Sequence, residues 1–154
     1  MRISFGRLLG FLSIAGALIV LPGCGKSDGR LQVTGTVKYE DGTVPKGATS
    51  GVVRFDPEDP NLPNVRPAMG YINGETGEFE LYSVKPGDGA TPGSYKVSLI
   101  INRDYPPKPQ GSLVPLDYAS AESTPLIKQI DSANRHFDLV VPKRDPKKDS
   151  GKKR

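Results

Sequence analysis

Apolar and polar residues alternate with a period of two along several short stretches of this chain, and turns rich in Gly, Pro, Asp and Asn separate them. From residue 31 to 39, Leu31, Val33, Gly35, Val37 and Tyr39 share one face, while Gln32, Thr34, Thr36 and Lys38 take the other. That is the pattern of a half-buried strand, and Asp41-Gly42 then marks a turn. The same reading predicts strands over 51–56 (Val53 and Phe55 together), 68–73 and 78–83 (Phe79 and Leu81 together). Further strands are expected over 94–103 (Tyr95, Val97, Leu99 and Ile101 inward), 126–130, and 135–141 (Phe137, Leu139 and Val141 together). The prolines of Tyr105-Pro106-Pro107-Lys108-Pro109 cannot donate ladder hydrogen bonds and should end the sheet. Residues 114–124 read as an irregular segment packed across one end. Seven short strands with turns between them, and no long helical periodicity, predict an all-β sandwich.

The first residues follow a different pattern. Arg2 and Arg7 precede an uncharged, mostly apolar run over 8–20, the layout of a secretory signal peptide. As a helix, this run is about 20 Å long, against a hydrocarbon core of about 30 Å, so removal is expected and not a permanent span. Two cleavage sites compete. Ala15-Gly16-Ala17 fits ordinary signal removal, but cutting there leaves Leu18-Ile19-Val20-Leu21 exposed at the new terminus. Leu21-Pro22-Gly23-Cys24 resembles the lipobox of bacterial lipoproteins, in which the Cys is lipidated and becomes the first residue. Cys24 is the only cysteine and could form no internal disulfide in an exported protein. A lipid anchor accounts for both its position and its solitude. Two acyl chains already make such anchoring stable.

Charge divides the mature chain. Residues 24–142 hold twelve basic and fifteen acidic side chains, a net of −3; residues 143–154 hold seven basic and two acidic, a net of +5. A nucleic-acid-binding domain would spread basic residues over a folded face, so no nucleic-acid partner is expected. The expected organisation is a lipoprotein signal peptide over 1–23, a tether over 24–30, a sandwich over 31–142, and a disordered basic tail over 143–154.

Catalytic chemistry finds little to work with. The one histidine, His136, alternates with Phe137 on the solvent side of its strand, so no catalytic triad and no usual zinc site is expected. Asp56-Pro57-Glu58-Asp59-Pro60-Asn61 is an acidic loop that could offer oxygens to calcium, although its spacing matches no EF-hand loop and acids with prolines are ordinary in exposed turns. Gly87-Asp88-Gly89 lacks the following helix and Lys-Ser/Thr pair of a phosphate loop. The six tyrosines, Tyr39, Tyr71, Tyr82, Tyr95, Tyr105 and Tyr118, could stack on sugars where they are not buried, and Tyr39 and Tyr95 are expected inside.

Val33-Thr34-Gly35-Thr36-Val37, Asp41-Gly42, Pro45-Lys46-Gly47-Ala48, Val53-Arg54-Phe55 and Gly77-Glu78-Phe79-Glu80-Leu81 recur in this order in carboxypeptidase regulatory-like domains. Gly87-Asp88-Gly89-Ala90, Pro92-Gly93-Ser94-Tyr95-Lys96-Val97, Pro115, Tyr118, Thr124-Pro125-Leu126 and the 134–139 segment resemble the small lipoprotein version common in planctomycete bacteria. Thr49-Ser50-Gly51 is about two residues longer than in that group, which leaves the register of the second strand open. The resemblance implies a transthyretin-like, or prealbumin-like, sandwich of three- and four-stranded sheets, with no catalytic residues and no cofactor. The purine-pathway hydrolase that shares this fold needs several histidines and a Tyr-Arg-Gly-Ser end, whereas this chain ends in Lys152-Lys153-Arg154. The expectation is therefore a non-enzymatic structural or interaction module on the periplasmic or extracellular face of the cell envelope. It would be held to the membrane through lipid on Cys24, with an envelope protein or polysaccharide as partner. The alternative is a carbohydrate- or calcium-binding envelope lipoprotein.

Overall fold

The computed structural model describes residues 29–146; the expected signal peptide, Cys24 and residues 147–154 lie outside them. The described chain is all-β. Its strands are β1 (Thr34–Tyr39), β2 (Ser50–Pro57), β3 (Ala68–Tyr71), β4 (Glu78–Glu80), β5 (Gly93–Asn102), β6 (Ile127–Ile130) and β7 (His136–Val141). They form a three-stranded sheet in the order β4-β1-β7 and a four-stranded sheet in the order β3-β2-β5-β6. β1 is antiparallel to β4 and parallel to β7, from Thr34↔His136 to Tyr39↔Val141. The longest ladder joins β2 and β5, from Ser50↔Asn102 to Pro57↔Tyr95.

Alternation explains which side chains meet between the sheets. Val33, Val37, Phe79, Leu81, Phe137, Leu139 and Val141 come from the three-stranded side; Val53, Phe55, Tyr95, Val97, Leu99, Ile101 and Ile130 come from the other, and all are buried in one cluster. Phe55 is the hub. Its ring centroid lies 6.4 Å from Phe79, 6.0 Å from Tyr95 and 5.9 Å from Phe137, within the range in which tilted aromatic pairs add about 0.5–1.5 kcal/mol each beyond their area. The two inward tyrosines keep their hydroxyls satisfied: Tyr95 donates to the Thr91 carbonyl at 2.8 Å and Tyr39 to the Leu113 carbonyl at 3.0 Å. Without those acceptors, burial of either hydroxyl would cost a few kcal/mol. Gly35 also faces inward, and the Phe79 ring lies in the space where a side chain would stand.

Three details differ from the sequence reading. The strand expected over 78–83 ends at Glu80, because the chain there crosses from one sheet to the other. The Leu81 amide still bonds the Val33 carbonyl, but Tyr82 exchanges both backbone hydrogen bonds with Met69 of β3, at 2.9 and 2.8 Å. The long Thr49-Ser50-Gly51 stretch extends the ladder and does not shift it. Thr49 donates its amide to the Asn102 carbonyl at 2.9 Å and its hydroxyl to the Arg103 carbonyl at 2.7 Å, while Val53 and Phe55 stay inward. Residues 114–124 join the core before they reach the sheet face: Val114 is buried and Tyr118 packs against the same cluster. A 3₁₀ turn over Leu116–Ala119 leads into residues 119–122, which form one wall of a groove on the outer face of the four-stranded sheet.

Candidate functional site

The lipidation residue expected from the sequence, Cys24, lies outside the described residues. Among the described residues no helix is long and apolar enough to cross a membrane. His136 is exposed at the start of β7, with its Nδ1 2.9 Å from the Thr34 hydroxyl on the neighbouring strand. The acidic loop is engaged piece by piece. Asp56 pairs with Arg54 at 2.8 Å, Glu58 accepts from the Ser94 hydroxyl, and Asp59 closes a turn on the Asn61 amide at 2.9 Å. No group of three or more His, Cys, Asp or Glu side chains converges among the described residues. The calcium alternative therefore gains no donor set there.

Gly87-Asp88-Gly89 forms a loop that supplies its own anion. The Asp88 carboxylate accepts the amides of Ser83 at 2.8 Å, Val84 at 3.1 Å and Lys85 at 3.1 Å, and it meets the Arg30 guanidinium. Burial pushes its pKa up, but the three amides and Arg30 outweigh burial and hold it below the ordinary carboxylate value. An amide nest that could have held a phosphate is thus filled from within.

The tyrosines separate into an inner and an outer set. Tyr39 and Tyr95 are buried as expected. Tyr71 is 68 % exposed on β3, and its ring lies 6.4 Å from that of Tyr82 with the planes inclined by 36°. A hydrogen bond with Tyr71 raises the Tyr82 pKa. Met69, two residues before Tyr71 and so on the same face of β3, opens into a groove of about 430 Å³ with Val52 and Ile100 on its floor and Arg54 and Glu122 at its sides. The sequence pattern left the exposure of Tyr71 open. It could not pair Tyr71 with Tyr82, because that pairing depends on the chain changing sheets after Leu81.

The sequence also assigned 143–154 to a disordered tail. Its first residues lie down on the body. Lys143 pairs with Asp41 at 2.6 Å and stands 5.2 Å over the Tyr39 ring. The Arg144 guanidinium donates to the carbonyls of Pro109, Gln110 and Ser112. Lys143 and the Thr43 hydroxyl and amide together lower the Asp41 pKa. These contacts could not be read from composition, since the partners of Lys143 lie about 100 residues away and the acceptors of Arg144 are backbone carbonyls of a distant loop.

Neither a family model, nor a curated protein, nor a solved structure matches the chain.

Proposed function

We propose that this is a non-enzymatic lipoprotein of the cell envelope, anchored through lipid on Cys24 and carrying a transthyretin-like sandwich of the carboxypeptidase regulatory-like kind as a structural or interaction module. The observation that carries this reading is the position of the lone cysteine. It ends an apolar run in Leu21-Pro22-Gly23-Cys24 and precedes Leu31, the first residue packed on the core, by seven positions. The division into three- and four-stranded sheets is the one the resemblance implies, and it supports the fold half of the reading. Intact mass of membrane-extracted protein should show a chain beginning at Cys24 plus acyl groups. A soluble species beginning at Leu18 with a free thiol would overturn the proposal.

One observation favours a second reading, carbohydrate binding. The Tyr71–Tyr82 pair, with Tyr71 exposed and Tyr82 half-buried, lies beside the Val52–Met69–Ile100 groove and offers a ring face of the sort that stacks on sugars. Titration with neutral glucan oligomers should then quench tyrosine fluorescence, and Tyr71→Ala should abolish the change. An unaltered signal from wild-type protein would discard this reading and leave the first intact.

A further inference from the structure

The outer face of the four-stranded sheet holds one polar group that the fold leaves unpaired. Val97 and Leu99 of β5 point into the core, so Ser98 between them faces outward. Ser98 is only 6 % exposed, yet its hydroxyl makes no hydrogen bond among the described residues. No side-chain oxygen or nitrogen among the described residues is both sealed from solvent and unpaired. The Ser98 oxygen therefore opens into the groove of about 430 Å³ that this residue lines. Strand register sets what stands around it. Tyr82, Met69, Arg54 and Ser98 are successive cross-strand partners and make one row over the sheet. Tyr71, Val52 and Ile100 make the neighbouring row. At about 4.8 Å between strands, Tyr82 and Ser98 stand about 14 Å apart. The groove thus has the aromatic pair at one end and the unpaired hydroxyl at the other, with an apolar floor between them.

The wall beside Ser98 is tied down. The Thr124 hydroxyl donates to the Val97 carbonyl at 2.6 Å, the Ser123 hydroxyl donates to the Asp117 carbonyl at 2.7 Å, and Tyr118 packs on the core. A concave, pre-formed and mostly apolar site with a few placed polar groups suits a small ligand. Three features of the groove narrow its class. The charges on this face cancel: Arg54 binds Asp56 at 2.8 Å, and Lys96 stands across from Asp56 and within electrostatic reach of Glu122. Neither an acid nor a base is favoured. A wholly apolar ligand would seal the Ser98 hydroxyl without a partner, which costs free energy. β2 is paired on both sides along the floor, so an extended peptide would find no main-chain partners there. A neutral ring with an apolar C–H face and a rim of hydroxyls meets all three conditions.

We propose that this groove binds a short run of neutral pyranose units, with one sugar face on the Tyr71 ring and a hydroxyl of a later unit bonded to Ser98. The proposal rests on the carbohydrate reading above. It adds the ligand class, uncharged and longer than one sugar, and the residue that anchors the far end. Two Tyr71-to-Ile100 strand spacings, about 10 Å, separate the ring from the β5 side of the groove, so a single sugar does not reach both contacts.

Calorimetry on the full chain, in a sugar-free nonionic detergent, tests this. The neutral probes are glucose, cellohexaose, laminarihexaose and maltohexaose, and the acidic probe is polygalacturonate. A neutral hexaose should bind, glucose should bind far more weakly, and polygalacturonate should give no heat. Ser98→Ala should weaken hexaose binding about fivefold, equivalent to about 1 kcal/mol. Its melting temperature should stay level or rise, because no hydrogen bond within the protein is lost. A lowered melting temperature would mean that the hydroxyl has a partner inside the fold, and the anchor role would fail. Hexaose binding that Tyr71→Ala abolishes and Ser98→Ala leaves unchanged would keep the carbohydrate reading and refute this proposal. Glucose binding as tight as hexaose, or polygalacturonate binding that Ser98→Ala weakens, would refute the ligand class. No heat from any hexaose would overturn both readings. Sedimentation in the same detergent should give one chain per particle; a dimer that Tyr71→Ala dissolves would assign the groove to a second copy instead.

Discussion

Gly35→Ala is the sharpest test of how the three-stranded sheet is packed. Gly35 sits mid-sheet on β1, opposite Phe79 on β4 and Phe137 on β7. An added Cβ would stand 2.8 Å from Cε1 of the Phe79 ring, and closer still to its Cζ and to the Phe137 carbonyl oxygen. Non-bonded carbon atoms prefer about 3.5–4 Å. The ring can swing aside, but the carbonyl is backbone on a paired strand and cannot move without disturbing the ladder. Overpacking of this kind costs typically 1–3 kcal/mol, and the backbone clash puts the expectation near the upper end, at about 3 kcal/mol. That is a large fraction of the roughly 5–15 kcal/mol by which a domain is stable. With no tryptophan in the chain, urea unfolding is best followed by far-ultraviolet circular dichroism and tyrosine fluorescence. The midpoint should fall by about 1.5–2 M and the melting temperature by roughly 12–18 °C. Gly35→Ala/Phe79→Leu separates the two clashes, since it makes room on the ring side only and should recover part of the loss. Full recovery would show that the ring alone limits the site. An unchanged midpoint for Gly35→Ala itself would refute the close packing of β1 between its neighbours.

Phe79→Ala should cost about 3–5 kcal/mol, since it empties the space over Gly35 and removes a partner of Phe55; a urea midpoint within error of wild type would place Phe79 outside the core. Asp88 has a folded pKa below its unfolded value, so its stabilisation is present above about pH 4 and is lost as pH falls through the folded value. Asp88→Asn should therefore flatten the acid limb of the stability–pH curve. It should also cost about 2 kcal/mol at pH 7, because hydrogen bonds to a charged acceptor become neutral ones; a parallel acid limb would refute this role. Removing residues 147–154 should leave the melting temperature unchanged. Removing 143–154 should lower it by about 4–8 °C, through loss of the Arg144 hydrogen bonds and the Lys143–Tyr39 contact, and equal melting of the two truncations would show that these contacts contribute nothing.

Strand positions and inward faces were legible because period two leaves little ambiguity where β-branched and aromatic residues alternate with polar ones. The 94–103 stretch is the clearest case: Tyr95, Val97, Leu99 and Ile101 are all buried in β5. What escaped the sequence depends on where the chain leaves one sheet for the other. The handover at Leu81–Tyr82 shortens β4 and brings Tyr82 beside Tyr71. The seating of the chain after β7 was half visible. The excess of Lys and Arg after residue 142 marked a charged segment, but the contacts of Lys143 with Asp41 and of Arg144 with the 109–112 carbonyls depend on the fold. The Asp88 nest was read correctly as a turn, yet its four-partner carboxylate depends on Arg30, which composition assigned to a tether.

Thr34 and His136 are ladder neighbours that lie 102 residues apart along the chain. Closing a loop of that length costs about 4 kcal/mol of chain entropy, and nothing in the β1–β7 pairing can offset it until the last strand exists. A chain delivered from its N-terminus therefore presents β1 first and completes its sheet last. Until β7 arrives, the apolar side chains of β1 and β4 lack the Phe137–Leu139–Val141 wall that covers them. Folding of this sort is slow and is governed by topology. For a polypeptide threaded across a membrane as an extended strand, that delay would be useful: the order of strands would keep the chain open until its final residues have crossed.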